Sequence, residues 1–142
     1  MKVLVTGSNG FIGKNLMAHL SERNKIEVDT FSRDDDLSSL DSKIDGVDFV
    51  FHLAGVNRPN NVEEFALGNA DLTSAVCSAI IQTKRLIPVI YTSSLQAELD
   101  NPYGQSKKAA EEILVNFSGN SGSPVYIFRL PNIFGKWCKP NY

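Results

Sequence analysis

Three glycines near the N-terminus constrain the fold of this 142-residue chain more than any other feature. Gly7, Gly10 and Gly13 follow a short β-branched stretch, Lys2–Thr6, and open a stretch with helical spacing of apolar residues, Phe11–Leu20. This pattern predicts a strand, a tight turn and a helix. Glycines in such a turn let the backbone approach a pyrophosphate, whose charge the N–H groups and the positive end of the helix can hold. We therefore expect a dinucleotide-binding turn, with the spacing Gly-x-x-Gly-x-x-Gly rather than Gly-x-Gly-x-x-Gly.

The rest of the chain alternates between predicted strands and helices. We expect further strands near residues 26–31, 48–54, 88–92 and 125–130, and helices near 37–40, 62–85 and 102–117. The alternation predicts an α/β fold with a doubly wound parallel sheet, a Rossmann fold with helices in layers on both faces. We expect the strand order 2-1-3-4-5. The length fits one domain and is too short for two ordinary ones.

Composition and charge argue against several classes of function. The net charge is −2 and neither sign clusters, so we expect no nucleic-acid partner. No run of about 18 apolar residues is present to predict a membrane span. Cys77 and Cys138 lie far apart without paired spacing, so they indicate neither a zinc site nor a disulfide framework. We expect a reduced, cytoplasmic protein without a metal.

The end of the second predicted strand is where a protein of this fold contacts the adenosine ribose. Arg33 stands there, and an arginine can pair with the 2′-phosphate of NADPH, whereas an acidic residue would bind the free 2′-hydroxyl of NAD. Asp29 is the acidic alternative, but it falls inside the strand, where alternation can turn it elsewhere. Arg33 therefore favours NADPH, and a solvated loop charge is the alternative interpretation.

A helix that begins after Asn101 carries the candidate catalytic side chains. Asn101 is a favourable N-cap and Pro102 suits the first helical position. Tyr103 and Lys107 are four residues apart and therefore lie on the same helix face. An ammonium close to a phenol favours the phenolate and lowers the phenol pKa toward the range that proton transfer needs. The spacing alone also fits an ordinary surface pair.

Two other polar residues of the predicted sheet receive different interpretations. Ser94 lies at the carboxyl end of the fourth strand, where open α/β sheets bind their ligands, and Tyr103 and Lys107 follow it closely. This order favours a catalytic role for all three. His52 falls in the middle of the third strand, and we expect it to be a hydrogen-bonded core residue rather than a catalyst.

With these motifs in order, the chain resembles the extended short-chain dehydrogenase/reductase superfamily. The stretch at 6–13, Thr-Gly-Ser-Asn-Gly-Phe-Ile-Gly, is similar to that superfamily's cofactor turn. The stretches at 52–59, 93–97, 101–107 and 129–142 are more narrowly similar to the capsular-polysaccharide enzymes that make UDP-N-acetyl-L-fucosamine. Their reductase domain uses NADPH to reduce the C4 ketone of a UDP-2-acetamido-2,6-dideoxy sugar. The resemblance implies the same reaction here, with a UDP-sugar as substrate and a homodimer as one expected assembly.

The resemblance also implies roles for individual residues. Tyr103 would protonate the carbonyl oxygen, Lys107 would bind the nicotinamide ribose and tune Tyr103, and Ser94 would hydrogen-bond the same oxygen. Ser94 and Asn132 would contact the substrate. The glycines would hold the pyrophosphate, and residues 36 and 37 would flank the adenine. The full set expected at the cofactor is Gly7, Asn9, Gly10, Phe11, Ile12, Gly13, Arg33, Asp36, Leu37, Leu53, Ala54, Gly55, Tyr103 and Lys107.

This chain is shorter than the members of that family, and two alternative functions remain open. Members of the family continue with further Rossmann elements, a substrate-binding lobe and a cupin-like domain, so we expect residues 1–142 to be an incomplete NAD(P)-binding Rossmann domain. One alternative is an NAD-dependent epimerase or dehydratase of the same superfamily, which Arg33 disfavours. The other is a dinucleotide-binding module without turnover, which Ser94, Tyr103 and Lys107 disfavour.

Overall fold

A computed structural model describes residues 1–57, 61 and 63–138, which form a five-stranded sheet. The predicted loop around Pro59 and the end of the stretch at 129–142 lie outside these residues. Every pair of neighbouring strands is parallel, which confirms the predicted fold and strand order. The order is β2-β1-β3-β4-β5, and the strands are β1 (Lys2–Thr6), β2 (Glu27–Phe31), β3 (Phe49–His52), β4 (Val89–Ser94) and β5 (Val125–Leu130).

Helices connect the consecutive strands. A π-helical segment, Ala66–Asp71, joins two of them into one continuous stretch, and 3-10 turns at Leu37–Ser39 and Leu95–Glu98 precede two others. None of the helices in the described ranges has the length and apolar character needed to cross a membrane. The helices are α1 (Phe11–Ser21), α2 (Leu40–Ile44), α3 (Glu63–Phe65), α4 (Leu72–Gln82) and α5 (Pro102–Ser121).

Two boundaries were predicted wrongly at the carboxyl edge of the sheet. β3 ends at His52, because the N–H of Ala54 donates to the side-chain hydroxyl of Thr6 instead of to a backbone carbonyl of the neighbouring strand. β4 extends to Ser94, because Ser93 and Ser94 pair with the last two residues of β5. Ser94 is therefore the last residue of a strand, held in the sheet, rather than a residue of the following loop.

The end of α5 was also predicted too early. The helix passes Gly119 and runs to Ser121, where Gly122 takes a left-handed conformation with φ of 78°. The N–H of Gly122 donates to the carbonyl of Ser118 at 2.9 Å, which closes the last turn. Glycine at this position is the usual helix stop, and Gly119 is only an exposed interior position.

The sheet separates two apolar clusters, because side chains alternate along each strand. Val3 and Val5 face α1, whereas Leu4 faces α2, α4 and α5. The structure is therefore three-layered, with helices on both faces as predicted. Among the described helices, α1 alone covers its face, and this leaves Tyr126 and Phe128 of β5 about half exposed, at 52% and 51%.

His52 is a hydrogen-bonded core residue, as predicted. The Thr6 and Thr73 hydroxyls lie 2.7 and 2.8 Å from its Nδ1 and Nε2. The Thr73 hydroxyl donates its proton to the Asn69 carbonyl at 2.6 Å, so it accepts from Nε2–H, and Nδ1 accepts from Thr6. Burial lowers the pKa of His52 to about 3, and the nearby charge of Lys107 adds to this effect. The imidazole is therefore neutral at physiological pH.

The low pKa of His52 predicts a specific loss of stability in acid. The unfolded chain, with a histidine pKa of 6.5, binds more protons than the folded chain between about pH 3 and pH 6.5. The contribution of His52 to stability should therefore be constant above this window and fall as the pH drops through it. Between about pH 7.5 and about pH 5, His52 alone should lower the free energy of unfolding by about 2 kcal/mol.

Urea denaturation of the wild type and of His52→Gln at both pH values measures this contribution. Glutamine does not titrate, so the variant should lose about 2 kcal/mol less than the wild type over the same interval, whatever its stability at neutral pH. Burial lowers the pKa of Lys107 to about 8, so the effect of Lys107 on stability changes with pH mainly between about pH 8 and 10.5, above the interval compared here. Equal losses in both proteins would contradict the prediction.

Candidate functional site

The glycine turn packs directly on the end of β3. Gly7 has φ of +70°, and a Cβ there would lie 2.6 Å from the backbone nitrogen of Ala54. A Cβ at Gly13 would lie 2.2 Å from the Gly7 carbonyl oxygen, so no side chain fits between α1 and the turn. Gly10 differs, because it is exposed and a Cβ would lie 3.2 Å from the same oxygen. Gly7 and Gly13 therefore allow close packing of backbone segments, and Gly10 faces solvent.

The N-terminus of α1 presents N–H groups that no side chain caps. Gly10 is the N-cap residue, it offers no side-chain hydrogen bond, and the first turn of α1 contains no acidic residue. Asn9 is exposed, whereas Phe11 and Ile12 are half-buried at the start of the helix. This end of the helix therefore combines uncapped N–H groups with the positive end of the helix dipole, the combination that binds a phosphate group.

The segment after β3 leads from the glycine turn toward α5. Leu53 packs in the α1-side cluster, and Ala54 N–H donates to the Thr6 hydroxyl at 3.1 Å. Gly55 is exposed, and a Cβ there would lie 2.8 Å from Asn69 Oδ1 and 3.4 Å from Lys107 Nζ. Open backbone at Gly55 therefore borders the Lys107 ammonium.

Arg33 follows β2 as an exposed side chain. Asp29, its acidic alternative, lies 3.9 Å from the Lys2 ammonium and 3.8 Å from the Lys43 ammonium. One Asp29 oxygen also accepts the N–H of Thr30 at 2.8 Å. Asp29 is therefore engaged by two lysines within the protein.

Residues 36 and 37 begin the 3-10 turn after β2. The Asp36 carboxylate accepts the N–H of Ser38 at 2.9 Å, and the hydrogen bonds from Ser38 lower the pKa of Asp36. Leu37 is 55% exposed, so it offers an apolar surface to a flat ring. The Asp36 carboxylate is thus a helix cap, and Leu37 is the residue here that could pack against a base.

The start of α5 forms as predicted and is held against Ser94. Asn101 Oδ1 accepts the N–H of Gly104 at 2.8 Å, and Pro102 occupies the first turn. A Cβ at Gly104 would lie 2.1 Å from the Gln96 carbonyl oxygen, so α5 packs closely on the 3-10 turn after β4. Ser94 caps that turn, because its Oγ accepts the N–H of Gln96 at 3.2 Å. This packing places the turn that Ser94 caps against the first turn of α5, in which Tyr103 lies.

Lys107 is buried beneath the carboxyl edge of the sheet. Its Nζ donates to the Thr92 carbonyl at 2.8 Å and lies 4.4 Å from the centroid of the Tyr91 ring. Burial lowers the pKa of Lys107 to about 8, and the negative charge of Glu111 opposes this shift. Tyr103 is half-buried one turn earlier, with its ring centroid 5.7 Å from that of Phe65.

Asn69 connects elements of the candidate site, and the sequence patterns did not indicate it. Its amide binds both backbone groups of Val56, accepting the N–H at 3.1 Å and donating to the carbonyl at 3.0 Å. It also donates to the Ser106 hydroxyl at 2.9 Å, and that hydroxyl donates to the Tyr103 carbonyl at 2.7 Å. Asn69 thus joins the loop after β3 to the first turn of α5. A polar residue three positions before Leu72, on the core face of the predicted helix, was the available signal.

The loop after β5 lies near the start of α1. The Asn15 amide donates to the carbonyls of Phe11 and Lys136 at 2.9 and 3.0 Å. Asn132 is exposed on this loop, directly after the strand. In the described part of the chain, no group of three or more His, Cys, Asp or Glu side chains is placed to hold a metal ion.

The parts of the site meet at the carboxyl edge of the sheet, where open α/β sheets bind nucleotides. The uncapped helix end, the open backbone at Gly55 and the Tyr103–Lys107 face of α5 define a Rossmann-type protein of the dinucleotide-binding class. A family model described as "NAD dependent epimerase/dehydratase family" matches residues 3–142. The chain therefore belongs to that family.

Known proteins agree with this assignment over the full length of the chain. The chain is 60% identical over 142 residues to the UDP-2-acetamido-2,6-beta-L-arabino-hexul-4-ose reductase of Pseudomonas aeruginosa. The aligned region covers 100% of this chain and 38% of the relative. The solved structure of the capsular polysaccharide assembling protein CapF from Staphylococcus aureus superposes with a TM-score of 0.85 at 42% identity, covering 100% of this chain and 38% of that chain. These similarities confirm the resemblance inferred from the motifs.

A more distant structure shares the fold. UDP-glucuronic acid 4-epimerase from Bacillus cereus, in complex with NAD, has a TM-score of 0.82 at 20% identity and covers 95% of this chain and 58% of that chain. The chain therefore spans less than two thirds of the length of each of these relatives.

Proposed function

We propose that this chain is the cofactor-binding and catalytic part of an NADPH-dependent reductase that acts on the C4 ketone of a UDP-2-acetamido-2,6-dideoxy sugar. The proposal rests on one observation: at the carboxyl edge of the sheet the Lys107 ammonium of α5 donates to the Thr92 carbonyl of β4 at 2.8 Å, and Ser94 ends the same strand two residues later. The 60% identity to a UDP-hexulose reductase supports the substrate class. We assign the product to capsular or O-antigen polysaccharide precursor synthesis.

The described residues fit a dinucleotide. The uncapped start of α1 suits the pyrophosphate, and a Cβ at Gly55 would come within 3.4 Å of the Lys107 ammonium, so only glycine leaves that approach open. Leu37 offers an apolar surface for the adenine, and Arg33 a cation for the 2′-phosphate. When bound, NADPH would supply the hydride that reduces the ketone carbon.

The protein's own contribution to the reaction is proton donation and orientation. Tyr103 would donate its phenolic proton to the carbonyl oxygen, which becomes the product hydroxyl. The Lys107 ammonium would stabilise the phenolate left on Tyr103, and Ser94 would hold the same oxygen by a hydrogen bond. Lys107 has a fixed position for this role, because the Thr92 carbonyl and the Tyr91 ring hold its ammonium. Asn132 would contact the nucleotide-sugar.

Two observations on cofactor choice point in opposite directions. Lys2 and Lys43 engage Asp29, which leaves Arg33 as the group at the end of β2 suited to the ribose substituent, and this favours NADPH. Asp34, Asp35 and Asp36 follow Arg33 directly, and their negative charges favour the uncharged 2′-hydroxyl of NAD. The second observation supports the alternative of an NAD-dependent epimerase or dehydratase.

Separate titrations of NADPH and NADH into the protein test this choice. We expect NADPH to bind at least about tenfold more tightly, because a charge-assisted pair with Arg33 contributes on that order. Arg33→Ala should remove most of this preference while leaving NADH binding unchanged. Arg23→Ala, which removes an exposed arginine at the other end of α1, is the matched control. Equal affinity of the wild type for the two cofactors would refute NADPH specificity and favour the epimerase alternative.

We also propose that the protein is cytoplasmic and forms a homodimer. The expectation of a homodimer comes from the family resemblance. Light scattering coupled to size-exclusion chromatography of the full-length protein tests it, and a monomeric mass at micromolar concentration would refute it.

A further inference from the structure

The helix face that carries Tyr103 and Lys107 continues to a third polar residue, Glu111. Residues 103, 107 and 111 follow one another at four-residue spacing, so their side chains lie on one side of α5. Glu111 is buried, and buried carboxylates are found where partners compensate them. The proposed function assigns no role to it.

Side chains from two neighbouring strands compensate the negative charge of Glu111. Its carboxylate accepts a short hydrogen bond of 2.5 Å from the hydroxyl of Ser93, in β4. It also accepts bonds from Arg129, in β5, with Nε 3.0 Å from Oε1 and Nη2 2.6 Å from Oε2. Burial raises the pKa of Glu111, but the bonds from Arg129 and Ser93 outweigh this effect and hold the pKa below its usual value. Glu111 is therefore an ionised anchor between α5 and the sheet.

This anchor binds residues that precede and follow Ser94 in the chain. Ser93 precedes Ser94 in β4, and Arg129 reaches past Glu111 to Glu98, at the end of the turn that Ser94 caps, with Nη1 2.7 Å from Oε1. Breaking the Ser93–Glu111 contact would therefore loosen Ser94 relative to the helix that carries the other two catalytic side chains.

Glu111 also acts on the charge of Lys107. On α5, Tyr103 precedes Lys107 by one turn and Glu111 follows it by one turn, and the charge of Glu111 acts on Lys107. The Tyr91 ring of β4 lies under the Lys107 ammonium, and the neutral His52 of β3 is close enough to be affected by its charge. Arg129 of β5 acts on it through Glu111. Burial favours the neutral amine of Lys107, and among the described residues Glu111 is the anion that opposes this. Its field therefore favours the ammonium.

We propose that Glu111 is a positioning residue for the Ser94–Tyr103–Lys107 site, fixing β4 to α5 and supplying the negative charge that keeps Lys107 an ammonium near neutral pH. The inference rests on the proposed function for the role of those three residues. It goes beyond that function, because Glu111 lies outside the reacting groups and its charge would help to determine the pH range in which the enzyme is active.

Two charge-removing substitutions in the full-length protein test the proposal, because they should act in opposite directions. Glu111→Gln keeps the shape of the side chain but removes the anion, so the protonation midpoint of Lys107 should move to lower pH than the wild-type value near 8. Arg129→Gln removes the cation that offsets Glu111, so the midpoint should move to higher pH. Glu112→Gln, the exposed neighbour on α5, is the matched control and should leave the midpoint in place.

The midpoint is read from the ¹³Cε resonance of Lys107 in protein labelled with ¹³C-lysine, assigned by its loss in Lys107→Met. This titration needs no substrate, so a protein without reductase activity would overturn the proposed function and leave the test of Glu111 intact. In an active protein, Glu111→Gln should also lower kcat/KM by about tenfold at pH 8, with the alkaline limb of the pH profile displaced in the same direction as the midpoint.

Opposite shifts of the two midpoints support the proposal. Unchanged midpoints, or shifts in the same direction in both variants, overturn it, because a purely structural clamp would be disturbed alike by either change. If Glu111→Gln does not fold, Arg129→Gln decides alone, since only a rise in its midpoint agrees with the proposal.

Discussion

Replacing Tyr103 with phenylalanine in the full-length protein should lower the rate of ketone reduction by about 10²- to 10⁴-fold, the range that general acid catalysis contributes. Phenylalanine keeps the ring, which packs against Phe65, and the helix N-cap at Asn101, so the site should remain assembled. NADPH affinity should change by only a few-fold, because the glycine turn and Arg33 are untouched. Single-turnover measurements of NADPH oxidation with the keto sugar, together with equilibrium titration of NADPH, separate the two effects.

Tyr126→Phe provides the control for this experiment. Tyr126 lies on β5 with about half of its surface exposed, so loss of its hydroxyl should leave the rate at the wild-type value. Undiminished turnover in Tyr103→Phe would remove Tyr103 from the mechanism. Loss of turnover together with loss of NADPH binding would assign Tyr103 to cofactor binding instead.

Substituting Gly13 with alanine should destabilise the fold strongly. The new Cβ would lie 2.2 Å from the Gly7 carbonyl oxygen and 2.7 Å from the Ser8 Cα, and both are backbone atoms that cannot rotate away. Either α1 moves off the sheet or the turn opens. We expect a loss of about 3 kcal/mol or more in the free energy of unfolding, measured by urea denaturation.

Two other glycines serve as controls for the Gly13 variant. Gly119→Ala adds a methyl group where nothing lies within 4 Å, so it should stabilise the protein by about 0.5–1 kcal/mol through helix propensity. Gly10→Ala meets the Gly7 oxygen only at 3.2 Å, so it should fold, yet weaken NADPH binding by about tenfold because the methyl group occupies the approach to the pyrophosphate. A Gly13→Ala protein as stable as the wild type would show that the turn is not packed as described.

The fold was predictable because its signals are local. The glycine turn, the N-cap at Asn101 and the alternation of strand and helix are each determined by a few neighbouring residues, and together they specify the sheet order. The two strand boundaries that were predicted wrongly depend on contacts distant in sequence. β4 extends through Ser94 because β5 pairs with it, and no property of the serines themselves indicates this.

The candidate site was predictable only in part, for a related reason. Ser94, Tyr103 and Lys107 carry recognisable chemistry at recognisable spacing. Asn69 and Glu111 act through partners 13 to 37 positions away, and a sequence without its fold does not identify those partners. Glu111 also follows Lys107 by four residues, a spacing that is common for ion pairs on exposed helix faces. The sequence therefore does not indicate that Glu111 is buried.

The π-helical segment Ala66–Asp71 has a consequence for the register of the chain. A π turn holds one more residue than an α turn, so it acts as a single-residue insertion within an otherwise regular helix. Removing one residue there would rotate Asn69 by about 100° relative to α4 and carry its amide away from Val56 and Ser106. The number of residues in this segment, as well as their identity, therefore determines whether the loop after β3 stays attached to the helix that carries Tyr103.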